Sequence, residues 1–246
     1  MSLTDSESRI RTVRDMLARV EKELLVHTAH MDDIFWQVQA IIRENPAIAS
    51  GGPFQKWIAQ CYADSVTAGA RRLADERRDV VSLWRVLEGM VSIAPLLTKS
   101  RFVSLHDGAL RGGAETLWRD LVGESETLST RLVRAKQRDL KTALEKVSQF
   151  ANENVAHLSA TPAHAETTFE DVRISIVSAF RLYTWCSQIL IGRAYSSPVP
   201  RNPRLWLRVF HVPWIQPGQR VPQYRSLDKV LDEESVNQPS GGRGRA

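Results

Sequence analysis

The sequence predicts an all-α protein, a single helical bundle with an irregular, proline-rich C-terminal extension. Three observations predict it. Apolar residues recur at spacings of three and four through most of the first 195 residues, the period of an amphipathic helix. Almost no stretch alternates with period two, so a sheet has little to be built from. Seven of the eleven prolines lie beyond residue 197 (Pro198, Pro200, Pro203, Pro213, Pro217, Pro222 and Pro239), which gathers the helix breakers at one end.

The first helix is marked by Val13, Leu17, Val20 and Leu24, and Ile34, Val38, Ile41 and Ile42 continue it until Glu44-Asn45-Pro46 stops it. Asn45 to Pro53, with Gly51-Gly52-Pro53, reads as a loop. A second helix is predicted from about Phe54 to Asp75, with Trp57, Cys61, Val66 and Leu73 facing inward. Ser82 is placed to cap a third, whose apolar face is Leu83, Val86, Leu87, Met90 and Val91. Residues 95–113 read as a connection. A long helical stretch follows over about Glu115 to Leu158, with a break expected near Gly123-Glu124-Ser125. The last strong helix is predicted over about Thr167 to Arg193, with Val172, Ile176, Phe180, Tyr183 and Leu190 as its apolar side. Some five helices of this length suit a bundle around one core.

These signals divide the chain into a bundle over residues 1–195, a proline-rich extension over 196–232 and a tail over 233–246. Trp206, Phe210 and Trp214 give the extension three large rings with which to dock on the bundle. The tail ends Pro239-Ser240-Gly241-Gly242-Arg243-Gly244-Arg245-Ala246, a composition that cannot build a core and is expected to be disordered. No internal repeat is visible.

The 246 residues carry a net charge of +5, and its location matters more than its size. Residues 1–192 hold 24 Lys and Arg against 24 Asp and Glu, whereas residues 193–246 hold nine against four. A basic tail adds salt-sensitive attraction to nucleic acid or acidic partners, and equally serves as a solubilising extension. The opening Met1–Glu7 is polar and acidic, without a signal-like apolar stretch, and no run of about 18 apolar residues offers a membrane span. Two distant cysteines, Cys61 and Cys186, make neither a disulfide framework nor a cysteine zinc site. The expectation is a cytoplasmic protein with no membrane partner and no cofactor.

Phosphate-binding loops, Gly-x-Gly-x-x-Gly, Gly-x-Ser-x-Gly and His-Glu-x-x-His are all absent from the sequence. His27-x-x-His30-x-x-Asp33 has ligand-like spacing but no matching cluster elsewhere, so a solvated polar face is expected and no metal. The run Arg71-Arg72-Leu73-Ala74-Asp75-Glu76-Arg77-Arg78-Asp79 mixes charges at a helix end. It reads as a salt-bridged terminus, or as one from which Arg71, Arg72 or Arg78 faces a phosphate or a partner. Arg131, Arg134, Arg138 and Lys141 share one helix face opposite Leu140, Leu144, Val147 and Ala151. That face is either simply solvated or a phosphate-contacting stripe.

The most informative segment is Phe150-Ala151-Asn152-Glu153-Asn154-Val155-Ala156-His157. With Ile34-Phe35-Trp36, Arg71-Arg72-Leu73-Ala74-Asp75 and Val81-Ser82-Leu83-Trp84 before it, the chain resembles the HEPN (higher eukaryotes and prokaryotes nucleotide-binding) superfamily, specifically its abortive-infection, AbiU-like branch. The resemblance covers roughly residues 30–195 in order and spacing. It implies a helical bundle acting in bacterial phage defence, a homodimer, and a toxin–antitoxin or phage-derived protein partner. It also implies metal-independent RNA cleavage, in which a histidine works on the ribose 2′-hydroxyl and an arginine steadies phosphate charge.

The chain departs from the family at that arginine. Aligned on His157, the family's Arg-x(4–6)-His positions hold Ala151, Asn152 and Phe150, and Glu153 stands where the family has lysine. Arg101–His106 and Arg204–His211 meet the spacing no more often than 26 scattered arginines would by chance. His157 and Asn152 are therefore the candidate catalytic residues of a motif that has lost its guanidinium, and Arg71, Arg72, Arg78 and Asn154 the candidate RNA- or partner-binding residues. His157 reads equally as a helix-end histidine bonded by Glu153. Asn152 and Asn154 read equally as helix-terminating residues. Three readings stand: an RNA- or protein-binding module with a degenerate nuclease motif, an active endoribonuclease borrowing an arginine from elsewhere in a dimer, or a plain structural bundle with no nucleic-acid role.

Overall fold

The computed structural model describes residues 3–46, 48–49, 52–108, 111–156, 167–199, 207, 226–229 and 231–232. Among them the chain forms helices α1 (Leu3–Glu21), α2 (His30–Glu44), α3 (Pro53–Leu73), α4 (Leu83–Ile93), α5 (Lys99–Ser104), α6 (Arg111–Val122), α7 (Thr130–Phe150) and α8 (Phe169–Ile191). Two wider π-helical segments extend the set, Lys22–Ala29 between α1 and α2, and Ala151–Ala156 at the end of α7. The extended pairing among the described residues is one isolated antiparallel bridge, Thr98 with Thr127. The fold is an all-α bundle.

Local chemistry sets the helix ends. Gly52 in an extended conformation leads into Pro53 at the first turn of α3, where a missing N–H costs nothing. The Ser82 hydroxyl accepts from the Arg85 N–H and donates to the Asp75 carbonyl, so one side chain caps α4 and closes the preceding turn. Thr168 and Asp171 form a reciprocal capping box at the start of α8. Gly192 ends α8 at φ 69°, a left-handed conformation natural to glycine, and a Cβ there would press on Leu105.

α8 is the centre of the molecule. Val172, Ile176, Phe180, Tyr183 and Leu190 are buried, as the sequence predicts, and so is most of the rest of its circumference. It packs against α1, α3, α4 and α7. α8 is long and apolar enough to cross a bilayer by length and composition, yet two thirds of its apolar window is covered by the bundle, which makes it a core helix. α7 lies across α3, α4 and α8, burying Val133, Leu140, Leu144 and Val147. Of the extension, Leu207 and Leu227 are buried, Leu231 packs on the core, and Arg181 donates to the Leu231 carbonyl at 3.2 Å. Trp206, Phe210 and Trp214 and the tail over 233–246 lie outside the described residues.

Three expectations need correction. Trp57 and Cys61 are exposed, because the buried face of α3 runs through Tyr62, Val66, Ala70 and Leu73, about 100° round the helix. The supposed connection over 95–113 contains α5 and the first turn of α6, the former capped by Thr98. The polar face of His27, His30 and Asp33 is not solvated throughout. Asp33 is buried, and its carboxylate accepts from Gln37 at 2.7 Å.

Candidate functional site

The Arg71–Asp79 run and the Asn152 segment meet. The last turn of α3 and the turn after it face the C-terminal half of α7 and the second π segment across a groove of about 570 Å³. Arg71, Asp75, Glu76 and Arg77 line one side, and Lys141, Glu145, Gln149, Asn152 and Glu153 the other. This geometry follows from packing: Leu73 on α3, Leu144 and Val147 on α7 and Ala151 just beyond it are buried, which turns the intervening polar residues toward the gap.

Most charges in the groove are matched. Arg77 holds Asp75 through contacts of 3.0 to 3.2 Å. Burial opposes ionisation of that carboxyl, but the Arg77 side-chain and backbone hydrogen bonds outweigh it and lower its pKa. Lys141 reaches Glu76 at 3.0 Å and lies 5.8 Å from the Trp84 ring centroid. Glu153 accepts from Gln149 at 2.9 Å. Arg71 makes no ion pair within 4 Å among the described residues; it lines the groove with Asn152, and its charge helps to lower the Asp75 carboxyl.

The outward face of α7 leads into this groove. Arg131, Arg134 and Arg138 are exposed and make no ion pair within 4 Å among the described residues, and Lys141 follows one turn later. The other candidates are placed differently. Arg72 turns away from the groove to bind Glu23 of the first π segment at 2.6 and 2.8 Å. Arg78 is exposed in the turn beyond the groove. Asn154 is exposed, and its amide donates to the Phe150 carbonyl at 3.1 Å. His157 lies outside the described residues. Ala151 is 1% exposed and packed in the interior.

A second polar cluster sits inside the molecule. Asp32 of α2 and Arg173 of α8, 0% and 2% exposed, form an ion pair at 3.3 Å. Tyr62 of α3 donates to the same carboxylate at 2.5 Å, and the Arg173 guanidinium lies 5.1 Å from the Trp36 ring centroid. Burial raises the Asp32 carboxyl to about 6, against the opposing pull of Arg173, Tyr62 and Trp36. The sequence held a signal for this cluster. Asp32 falls on the buried face with Phe35 and Ile42, and Arg173 interrupts the apolar run of α8.

Beside the cluster, α2 and α3 leave an apolar groove of about 330 Å³, walled by Met31, Ile34, Val38, Ile58 and the stacked rings of Phe35 and Tyr62. No protein-family model, curated protein or solved structure matches this chain.

Proposed function

We propose that the chain is an RNA-binding module of HEPN-like architecture whose cleavage motif is degenerate. The observation that carries this reading is the run of Arg131, Arg134 and Arg138, on one face and without an ion pair among the described residues, leading into the groove that Arg71 and Asn152 both line. Successive stripe residues rise about 4.5 to 6 Å along the helix axis, so neighbouring guanidinium groups can reach successive phosphates of a single strand. The groove suits what hangs from that backbone. Glu145 and Glu153 repel phosphate, but their oxygens accept from a 2′-hydroxyl or a base amino group, as does the amide oxygen of Asn152.

The motif itself supports binding over catalysis, because its own guanidinium is gone. The loss of one such electrostatic donor costs about two to three orders of magnitude in rate. A second reading, an active metal-independent endoribonuclease centred on His157, draws support from one observation: Arg71 lines the same groove as Asn152. Action in phage defence, homodimerisation and a toxin–antitoxin or phage-derived protein partner belong to the proposal through the resemblance alone.

Two measurements test these readings. Binding of a fluorescent single-stranded RNA should weaken with salt, with log K falling against log salt at a slope of about −3 for four phosphate contacts. Arg131→Glu with Arg134→Glu and Arg138→Glu should abolish it; binding that survives the triple variant removes the stripe from the function. RNA cleavage in excess EDTA, run beside His157→Ala, separates module from enzyme. Cleavage lost in the variant would establish the nuclease, and absent cleavage in both leaves the module.

A further inference from the structure

The charged face of α7 changes sign where it enters the groove. Arg131, Arg134, Arg138, Lys141 and Glu145 follow one another at spacings of three, four, three and four. The last of them returns to within about 40° of the first around the helix, so the five form one row about 21 Å long. Four cations thus lead to a carboxylate that stands where a fifth cation would continue the row. Glu145 is exposed and makes no ion pair within 4 Å among the described residues. Its neighbour Lys146 turns to Asp171 at 2.7 Å, and Lys141 to Glu76 at 3.0 Å.

Beyond Glu145 the same wall of the groove continues through Ser148, Gln149, Asn152 and Glu153, with no further cation. Two oxygens on it are closed to solvent and have no hydrogen-bond partner among the described residues, the Ser148 hydroxyl and Oε2 of Glu153. The opposite wall adds no surplus of positive charge, because Arg77 is bound to Asp75 and Arg71 also acts on that carboxyl. Taken together, four carboxylates and three cations line the groove.

We propose that the groove receives the 3′-terminal nucleotide of an RNA strand, with Glu145 accepting hydrogen bonds from its vicinal 2′- and 3′-hydroxyls. This rests on the RNA-binding reading above and names the part of the strand that the groove takes. The argument is one of spacing and sign. Phosphates matched to the row advance by about 4.5 to 6 Å per step, and the next one beyond Lys141 falls beside Glu145. An internal stretch of RNA has to place an anion there, against the carboxylate. A 3′ end does not, since its last sugar carries hydroxyls in place of a phosphate. An ionised carboxylate only accepts hydrogen bonds, and a vicinal diol offers it two adjacent donors. Acidic side chains hold ribose hydroxyls in this way in dinucleotide sites. A 5′ end presents a single hydroxyl, and so does the 3′ end of DNA, so the match is to RNA and to one of its ends.

The test uses the full chain and three 5′-labelled single-stranded RNAs of one sequence, ending in the natural diol, in a 3′-phosphate and in a 2′,3′-dideoxynucleotide. The parent protein should bind the diol strand about tenfold more tightly than the phosphate strand and about fivefold more tightly than the dideoxy strand. Glu145→Gln should bring the diol and phosphate strands to within about twofold of each other, chiefly by tightening the phosphate strand. A gain of affinity of that kind cannot come from a variant that fails to fold. Equal binding of the diol and phosphate strands by the parent protein would overturn end recognition while leaving the stripe intact. Equal binding of the diol and dideoxy strands would reduce Glu145 to a repulsive stop and overturn the diol contact. Failure of the parent protein to bind any of the three would overturn the RNA-binding reading itself, and end recognition with it.

Discussion

Asp32 and Asp171 both face a basic side chain, and their carboxyls shift in opposite directions. Asp171 sits at the start of α8, with Lys146 at 2.7 Å and the Thr168 N–H and hydroxyl each at 2.7 Å. The Lys146 and Thr168 hydrogen bonds hold its carboxyl at about 2. Asp32 has Arg173 and Tyr62 yet is raised to about 6, because no part of it reaches water. A partner of opposite charge does not by itself decide the direction. In the interior the loss of hydration outweighs the ion pair, and near the surface it does not.

The largest expected effect breaks the interior member of this comparison. Arg173→Met at pH 7.5 leaves Asp32 buried without its cationic partner, and should cost about 3–5 kcal/mol in urea unfolding. Adding Asp32→Leu should return much of that loss. Additive losses in the double variant would show that the pair is not coupled.

A pH series sharpens the contrast. The folded chain takes up a proton on Asp32 near pH 6, whereas the unfolded chain does so only near 3.8. That contribution is therefore absent above pH 6 and fully present below about 3.8, and amounts to about 3 kcal/mol. Asp171 behaves in reverse, stabilising above 3.8 and ceasing to as pH falls through about 2. Urea midpoints should rise between pH 7 and 4.5 in the parent protein and stay flatter in Asp32→Asn, and an equal rise in that variant would remove Asp32 as the cause.

Smaller effects belong to the surface. Thr168→Ala removes the capping box and should cost about 1 kcal/mol by thermal unfolding. Lys141→Ala breaks an exposed pair with Glu76 and should change stability by no more than about 0.5 kcal/mol, while weakening RNA binding measurably. A stability loss comparable to that of Thr168→Ala would mean that the groove's ion pairs hold the fold together.

What the sequence made legible follows from how local each signal is. The α8 stripe, the Ser82 cap and the break before α7 are all set by residues within a few positions of one another, and periodicity and capping rules read them directly. Trp57 and Cys61 were misplaced because a wide apolar face on α3 offers two registers, and only packing against α2 and α8 chooses Tyr62 over its neighbours. The burial of Asp32 depends on an arginine on another helix, a pairing invisible to any window along the chain. The same holds for the groove that Arg71 and Asn152 share. Both residues were marked as candidates, but nothing in their spacing says that α3 ends where α7 does. The two π segments carry no sequence signal that we can identify.

Gly69 supplies a last consequence. A Cβ at this position would come within 2.6 Å of the Thr28 hydroxyl, so the glycine lets the Thr28 side chain of the first π segment seat against α3. Two turns earlier on α3, the Tyr62 hydroxyl is tied to Asp32. Held at these two points, α3 keeps one register against α2 and the first π segment. A side chain larger than glycine at position 69 would push α3 off that seat and carry with it the groove wall that Arg71 and Asp75 form.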